Sequence, residues 1–200
     1  MEKDTRTRLI EAGLTLFSAK GYAAVSIREL AAEAEVNSAL INYHFGGKEG
    51  LYFAVFEEQF GKIAARFEQV LASQIEPAER LQGFIQALIA THQSNPYIRR
   101  MMFSELSNPT PIFEKIVKVE IGRIYQLVGK TLQEGIDQGK FRKNLHPQLA
   151  TVAIAGMINF YFLAEPIIDE LLPDAGDRDR EFLATALTIF LEGMQNPSAH

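Results

Sequence analysis

SIRELAAEAEVNSALINYHFGGKEGLY, residues 26–52, decides the fold. Its opening Ser26-Ile27-Arg28-Glu29 is a capping box: the serine hydroxyl suits the backbone amide of Glu29, and the glutamate side chain suits the amide of Ser26. A helix therefore begins at Ile27, runs through Leu30, Ala31 and Ala34, and breaks near Glu35-Val36. Asn37 can cap a second short helix that ends at Phe45, where Gly46 supplies a stop. Two short helices joined by a tight turn make the helix-turn-helix plan. In the second of them Ile41 and Phe45 are expected to face inward, while Ser38, Ala39, Asn42, Tyr43 and His44 face outward, as in a helix laid into a major groove.

Toward the N-terminus, Leu9, Gly13, Leu16 and Phe17 fall on one helical face with Ile10 beside them, and Gly21 ends that helix. Toward the C-terminus, three short helices give way near Gly46-Gly47 to a long one running from Lys48 toward Ser73. Pro77, Pro96, Pro111 and Pro147 each precede an apolar-periodic stretch, the place proline takes in a helix's first turn. The tracts around Pro166 and over residues 173–179 read as a loop, Asn196-Pro197 as the last stop, and the tail beyond as frayed. No segment reads as a strand. The expectation is an all-α protein of about nine helices, divided into residues 1–47 and a larger helical domain, 48–200.

Composition bounds the function. Hydrophobic residues at 47% and charged residues at 22% place the chain among globular proteins, away from disorder. With no cysteine, disulfides, thiolate zinc sites and a cysteine nucleophile are excluded, which fits a reducing cytoplasm. The charged start, MEKDTRTRLIEAG, does not read as an export signal. The most apolar segment, residues 149–164, is shorter than the ~20 residues of a membrane span, so no membrane partner is expected. The net charge of −5 runs against nucleic-acid binding, and residues 1–50 alone still carry −1, so a DNA face has to be basic by local geometry.

Other chemistry finds little support. Gly46-Gly47-Lys48 lacks the preceding strand and the following Ser/Thr of a phosphate loop. His44, His92, His146 and His200 have no metal-ligand spacing, and His146 reads as a helix cap. No cofactor motif is present.

LTLFSAKGY, SIRELAAEAEV and NSALINYHFGGKEGLY resemble the TetR family closely over residues 6 to about 56; beyond them only the helical layout and length agree. The resemblance implies a bacterial transcription regulator, a repressor that binds a palindromic operator as a dimer, with a DNA reader followed by a helical domain that binds a small effector and dimerises. On that reading Ser26, Arg28, Asn37, Ser38, Ala39, Asn42, Tyr43, His44 and Lys48 meet DNA. Asn42 suits an adenine edge, Ala39 and Leu40 thymine methyls, and Lys48 a phosphate at a helix start. The sequence departs from the commonest family pattern at Asn42, often tyrosine, and Leu40, often threonine, which leaves the preferred operator open.

The resemblance also implies an effector pocket, for which Phe67, Leu88, His92, Met101, Met102, Phe113, Ile116, Glu120 and Tyr125 lie on suitable helices. Their character favours an apolar or aromatic effector, though the same residues suit plain core. The last two helices are apolar on more than one face, through Ile154, Met157, Ile158 and Tyr161, then Leu183, Leu187, Phe190 and Met194. The family implies that these build a homodimer on an isologous interface; a fully buried helix in a monomer is the alternative. An all-helical enzyme using Glu105, Glu120 and His92, or a protein-binding adaptor, are the competing functions.

Overall fold

The computed structural model describes residues 4–172 and 177–196; the expectations for residues 173–176, for Pro197 and the tail, and for His200 lie outside them. Within the described residues the fold is all-α: α1 (Thr5–Lys20), α2 (Ile27–Glu33), α3 (Ala39–Phe45), α4 (Lys48–Leu71), α5 (Pro77–Ser94), α6 (Pro96–Ser107), α7 (Lys118–Asp137), α8 (Pro147–Leu163), α9 (Glu165–Leu171) and α10 (Arg178–Met194). A π-helical turn, Phe113–Val117, leads into α7. No single helix among the described residues is long and apolar enough to cross a membrane.

The tenth helix is a departure from the sequence reading. Glu165–Leu171 is α9 rather than loop, and Pro166 sits in its first turn, where a missing N–H costs nothing. The other prolines behave as expected: Pro77, Pro96 and Pro147 open α5, α6 and α8. His146 stands at the N-cap of α8, but its side chain makes no capping bond.

The chain forms two compact units, residues 1–63 with 95–120, and residues 64–94 with 121–200. By compactness the dividing point falls inside α4, and α6 with the π-helical turn belongs to the first unit. In that unit α1 buries Leu9, Ile10, Ala12, Gly13 and Phe17, close to the stripe the sequence marks out, with Leu16 only half-buried. Leu30 of α2, Ile41 of α3 and Leu51 and Val55 of α4 are fully buried and complete the core.

The capping box forms as the sequence predicts. Glu29 N donates to Ser26 Oγ at 3.2 Å and Ser26 N donates to Glu29 Oε2 at 2.8 Å. Lys20 Nζ donates to the same carboxylate at 2.8 Å. The Lys20 bond, then the Ser26 donors, hold the Glu29 carboxyl well below its ordinary value, at about 2. A depressed folded-state pKa gives a contribution that is complete above the unfolded value and disappears as pH falls through the folded one. Between pH 4.5 and about 2, unfolding midpoints of the wild type should therefore fall more steeply than those of Glu29→Gln. Parallel pH profiles by circular dichroism would show that the cap carries no such linkage.

In the second unit α5, α7, α8 and α10 enclose Phe84, Ile85, Val128, Leu132, Ile154 and Ile158. His92 Nε2 lies 2.9 Å from Asn159 Oδ1, and its ring stacks on Phe162 at 4.6 Å between centroids. Tyr161 donates to Asp179 Oδ1 at 2.7 Å and stacks on Phe182; burial, then the carboxylate, push its phenol up to about 12.

Candidate nucleic-acid interface

The reader is built by the turn between α2 and α3. Glu35 takes φ of 53°, a left-handed conformation that reverses the chain. Asn37 Oδ1 then accepts from Ala39 N at 2.8 Å, so Asn37 caps α3 with its side chain, whereas Ser38 makes no capping bond. At the far end Gly46, at φ of 72°, terminates the helix.

Within α3 the inward residue is Ile41, fully buried, with Phe45 half-buried beneath the Arg6 guanidinium at 5.7 Å from the ring centroid. Opposite them Ser38, Ala39, Asn42, Tyr43 and His44 are exposed, Tyr43 to 81%. An exposed tyrosine beside an exposed amide, on a helix held rigidly from behind, is a poor surface for solvent and a good one for groove walls and base edges. Arg28 and Asn37 are exposed as well.

Two of the expected DNA residues have other work. Ser26 spends its hydroxyl in the capping box, donating to Glu29 Oε2 at 2.8 Å. Lys48 is half-buried: its ammonium donates to Val25 O at 2.7 Å and sits 4.4 Å from the centroid of the Tyr22 ring. It therefore staples the first turn of α4 to the loop before α2, a tertiary use that helical spacing cannot reveal.

Sequence reasoning missed two supports of the reader. A Cβ at Gly50 would lie 1.7 Å from Phe45 O, so this glycine lets α4 start directly against the end of α3. The signal in the sequence is Gly50 itself, five residues after Phe45 and just inside the start of the long helix. Glu105 is the second: it is fully buried in α6, and its carboxylate accepts from Tyr52 Oη at 2.8 Å and Thr110 N at 3.0 Å. Burial, then that carboxylate, push the Tyr52 phenol upward.

The expected effector residues divide between the units. Phe67, Leu88, His92 and Tyr125 lie in the second, whereas Met101, Met102, Phe113, Ile116 and Glu120 lie in the first. Two cavities are described in the second unit. One of about 470 Å³ lies between the α4–α5 turn and α7 and is polar, with Arg80 paired to Glu134 and Lys130 in its wall. The other, about 380 Å³, lies between α7 and α8, and Tyr125 is the expected residue that lines it. The wall of the second is more apolar than polar, as the sequence reading expects for an effector, and that of the first is not.

The expected dimer residues are covered to different degrees within the single chain. Ile154, Ile158, Tyr161 and Met194 are buried within the second unit, and Met157, Leu183, Leu187 and Phe190 are half-buried. The outward stripe of α8 is instead Leu149, Val152, Phe160 and Leu163, each more than half exposed. A helix apolar on every side gives no periodic signal to separate its two faces.

Comparison with known proteins gives the site its context. Residues 9–55 match the model for bacterial regulatory proteins of the TetR family, and residues 77–194 match the C-terminal domain of the HTH-type transcriptional dual regulator CecR. The chain belongs to the TetR family of transcriptional regulators. It is similar to the HTH-type transcriptional repressor DhaR of Mycobacterium sp. (strain GP1), 27% identical, with 94% of this chain and 91% of DhaR covered. Among solved structures it is similar to a HlyIIR mutant protein at 27% identity and TM-score 0.71, covering 92% of this chain and 95% of that one. The transcriptional regulator FadR from Bacillus subtilis, in complex with stearoyl-CoA, shares the fold at 19% identity and TM-score 0.77, over 94% of this chain and 98% of that one. TetR-family members regulate transcription and are not enzymes. Consistent with this, Glu105 and His92, offered by the sequence as acid–base groups, are engaged with Tyr52 and Thr110, and with Asn159.

Proposed function

We propose that this TetR-family regulator is a cytoplasmic repressor that binds a palindromic DNA operator as a homodimer and is released by a small effector. The observation that carries the DNA reading is the outward face of α3, where Ser38, Ala39, Asn42 and Tyr43 form one exposed stripe behind which Ile41 is fully buried. Arg28, Asn37 and His44 flank it, and the backbone amides at the start of α4 offer a phosphate seat in place of the Lys48 ammonium, which is held by Val25 O. In functional terms we divide the chain at residues 47 and 48, reader before and effector-binding and dimerising helices after.

We place the dimer face on the outward stripe of α8 together with α10, where Ile189 is 55% exposed beside the exposed Thr185 and Gly193. The buried Ile154, Ile158, Tyr161 and Met194, with Met157, Leu183, Leu187 and Phe190, would support that face from within. Two copies joined this way would set their α3 helices roughly 34 Å apart, one turn of DNA. Phe160→Asp combined with Leu163→Asp should convert the dimer to a monomer in light scattering and weaken operator binding at least ~100-fold, since a dimer gains from two half-sites at once. An unchanged mass would move the interface elsewhere.

For the effector we favour an apolar or aromatic molecule held by the second unit, with Phe67, Leu88, His92 and Tyr125 as its wall; Phe67 and Phe84 pack edge to face there, 5.3 Å between centroids. That FadR from Bacillus subtilis, which shares the fold, forms a complex with stearoyl-CoA supports an effector with an apolar chain. Release requires that the effector bind two states of the protein with different affinity. The deciding experiment is fluorescence anisotropy with duplex DNA from upstream of the gene, titrated with salt against unrelated competitor. Saturable binding that survives the competitor and weakens with salt supports the reading; equal affinity for all duplexes at every salt concentration overturns it.

A further inference from the structure

The segment 95–120 belongs to the first unit, yet it is connected at both ends to helices of the second: it follows α5 after Ser94 and re-enters α7 at Ile121. Its deepest anchor is Glu105, a carboxylate with no exposure whose partners are neutral donors: Tyr52 Oη at 2.8 Å, Thr110 N at 3.0 Å and Thr110 Oγ1 at 2.9 Å. A buried carboxyl group held in this way tolerates little displacement, because losing one partner leaves a buried polar group unsatisfied.

On the other side of Tyr52 the contacts continue toward the reader. Its ring lies 4.8 Å from that of Phe17 and 4.8 Å from that of Tyr22. Tyr22 carries the Lys48 ammonium, which bonds the carbonyl of Val25, the residue before the cap of α2. Lys115, in the π-helical turn, adds a surface tie to Glu49 of α4 at 3.0 Å. Such turns, inserted into helices, are rare and frequent at functional sites.

We infer that Glu105 is a positioning residue, a latch whose bonds to Tyr52 and Thr110 tie the segment 95–120 to α4, so that latch closure and operator binding are thermodynamically linked. This rests on the operator-binding reading above. Linkage is reciprocal: if the latch sets the reader's position, DNA held by the reader must tighten the latch.

The test is amide hydrogen exchange on the full-length protein, free and bound to a duplex enriched by the wild type from a random pool. In the wild type the duplex should slow exchange over residues 105–112 by about tenfold, a coupling of ordinary size. Tyr52→Phe, which keeps the ring, and Thr110→Val, which changes only a half-buried residue, should each reduce that response to about threefold or less, while Thr110→Ser restores it. A merely structural role would speed exchange equally in free and bound protein and leave the ratio unchanged. The inference is overturned if the duplex leaves residues 105–112 unaffected in the wild type, or if both disabling variants respond like it. Failure to enrich any duplex would instead overturn the operator-binding reading, and this inference with it.

Discussion

Gly50→Ala should abolish operator binding and lower the unfolding midpoint by several degrees. The added methyl would lie 1.7 Å from Phe45 O and 2.9 Å from Phe45 C, both backbone atoms, so no side-chain rotation relieves the clash. Either the first turn of α4 retreats or the end of α3 moves, and α3 carries the exposed stripe. Overpacking against backbone belongs at or above the top of the usual range, so about 3 kcal/mol is expected. Gly61, in the same helix, supplies the control, because a Cβ there meets nothing within 4 Å. Gly61→Ala should stabilise by about 0.5–1 kcal/mol, as alanine does in an unhindered helix interior. Thermal melts and anisotropy on both variants decide the matter: operator affinity for Gly50→Ala within threefold of the wild type would show that α4 and α3 are not rigidly joined here.

Features written locally in the chain were readable without a structure. The Ser26–Glu29 box, the Asn37 cap and the left-handed Gly46 each depend on a few neighbouring residues, and each forms as the sequence predicts. The division of α3 into a buried Ile41 and an exposed Asn42-Tyr43 side follows from helical period alone. What escaped depends on the partner rather than the pattern. Lys48 reads as a free cation until Val25 O is found beside it, and Gly50 as one glycine among several until Phe45 O is placed. Met101 and Phe113 have the apolar character of Phe67 and Phe84, yet they belong to a segment folded into the other unit, which no periodicity reports. The uniform apolarity of α8 hid which side turns outward, and Pro166 concealed a seven-residue helix because proline marks helix starts and loops alike.

The Asn42→Ala, Tyr43→Ala double variant should lose operator affinity by about 100-fold or more while keeping its fold. Both side chains are exposed, Tyr43 to 81%, and no core contact depends on them, so the unfolding midpoint should shift by no more than about 0.5 kcal/mol allows. Their loss from a groove is different in kind. A bidentate amide on an adenine edge contributes roughly 1–3 kcal/mol of discrimination, and a tyrosine against the sugar-phosphate wall fixes the helix that presents it. The singles separate the two roles. Asn42→Ala should relax preference at one base pair in each half-site and leave the salt slope unchanged, because no phosphate contact is removed. Tyr43→Ala should weaken all duplexes nearly alike. If the double variant instead bound the operator with wild-type affinity, DNA would have to be read by another surface, and the exposed stripe of α3 would lose its assigned purpose.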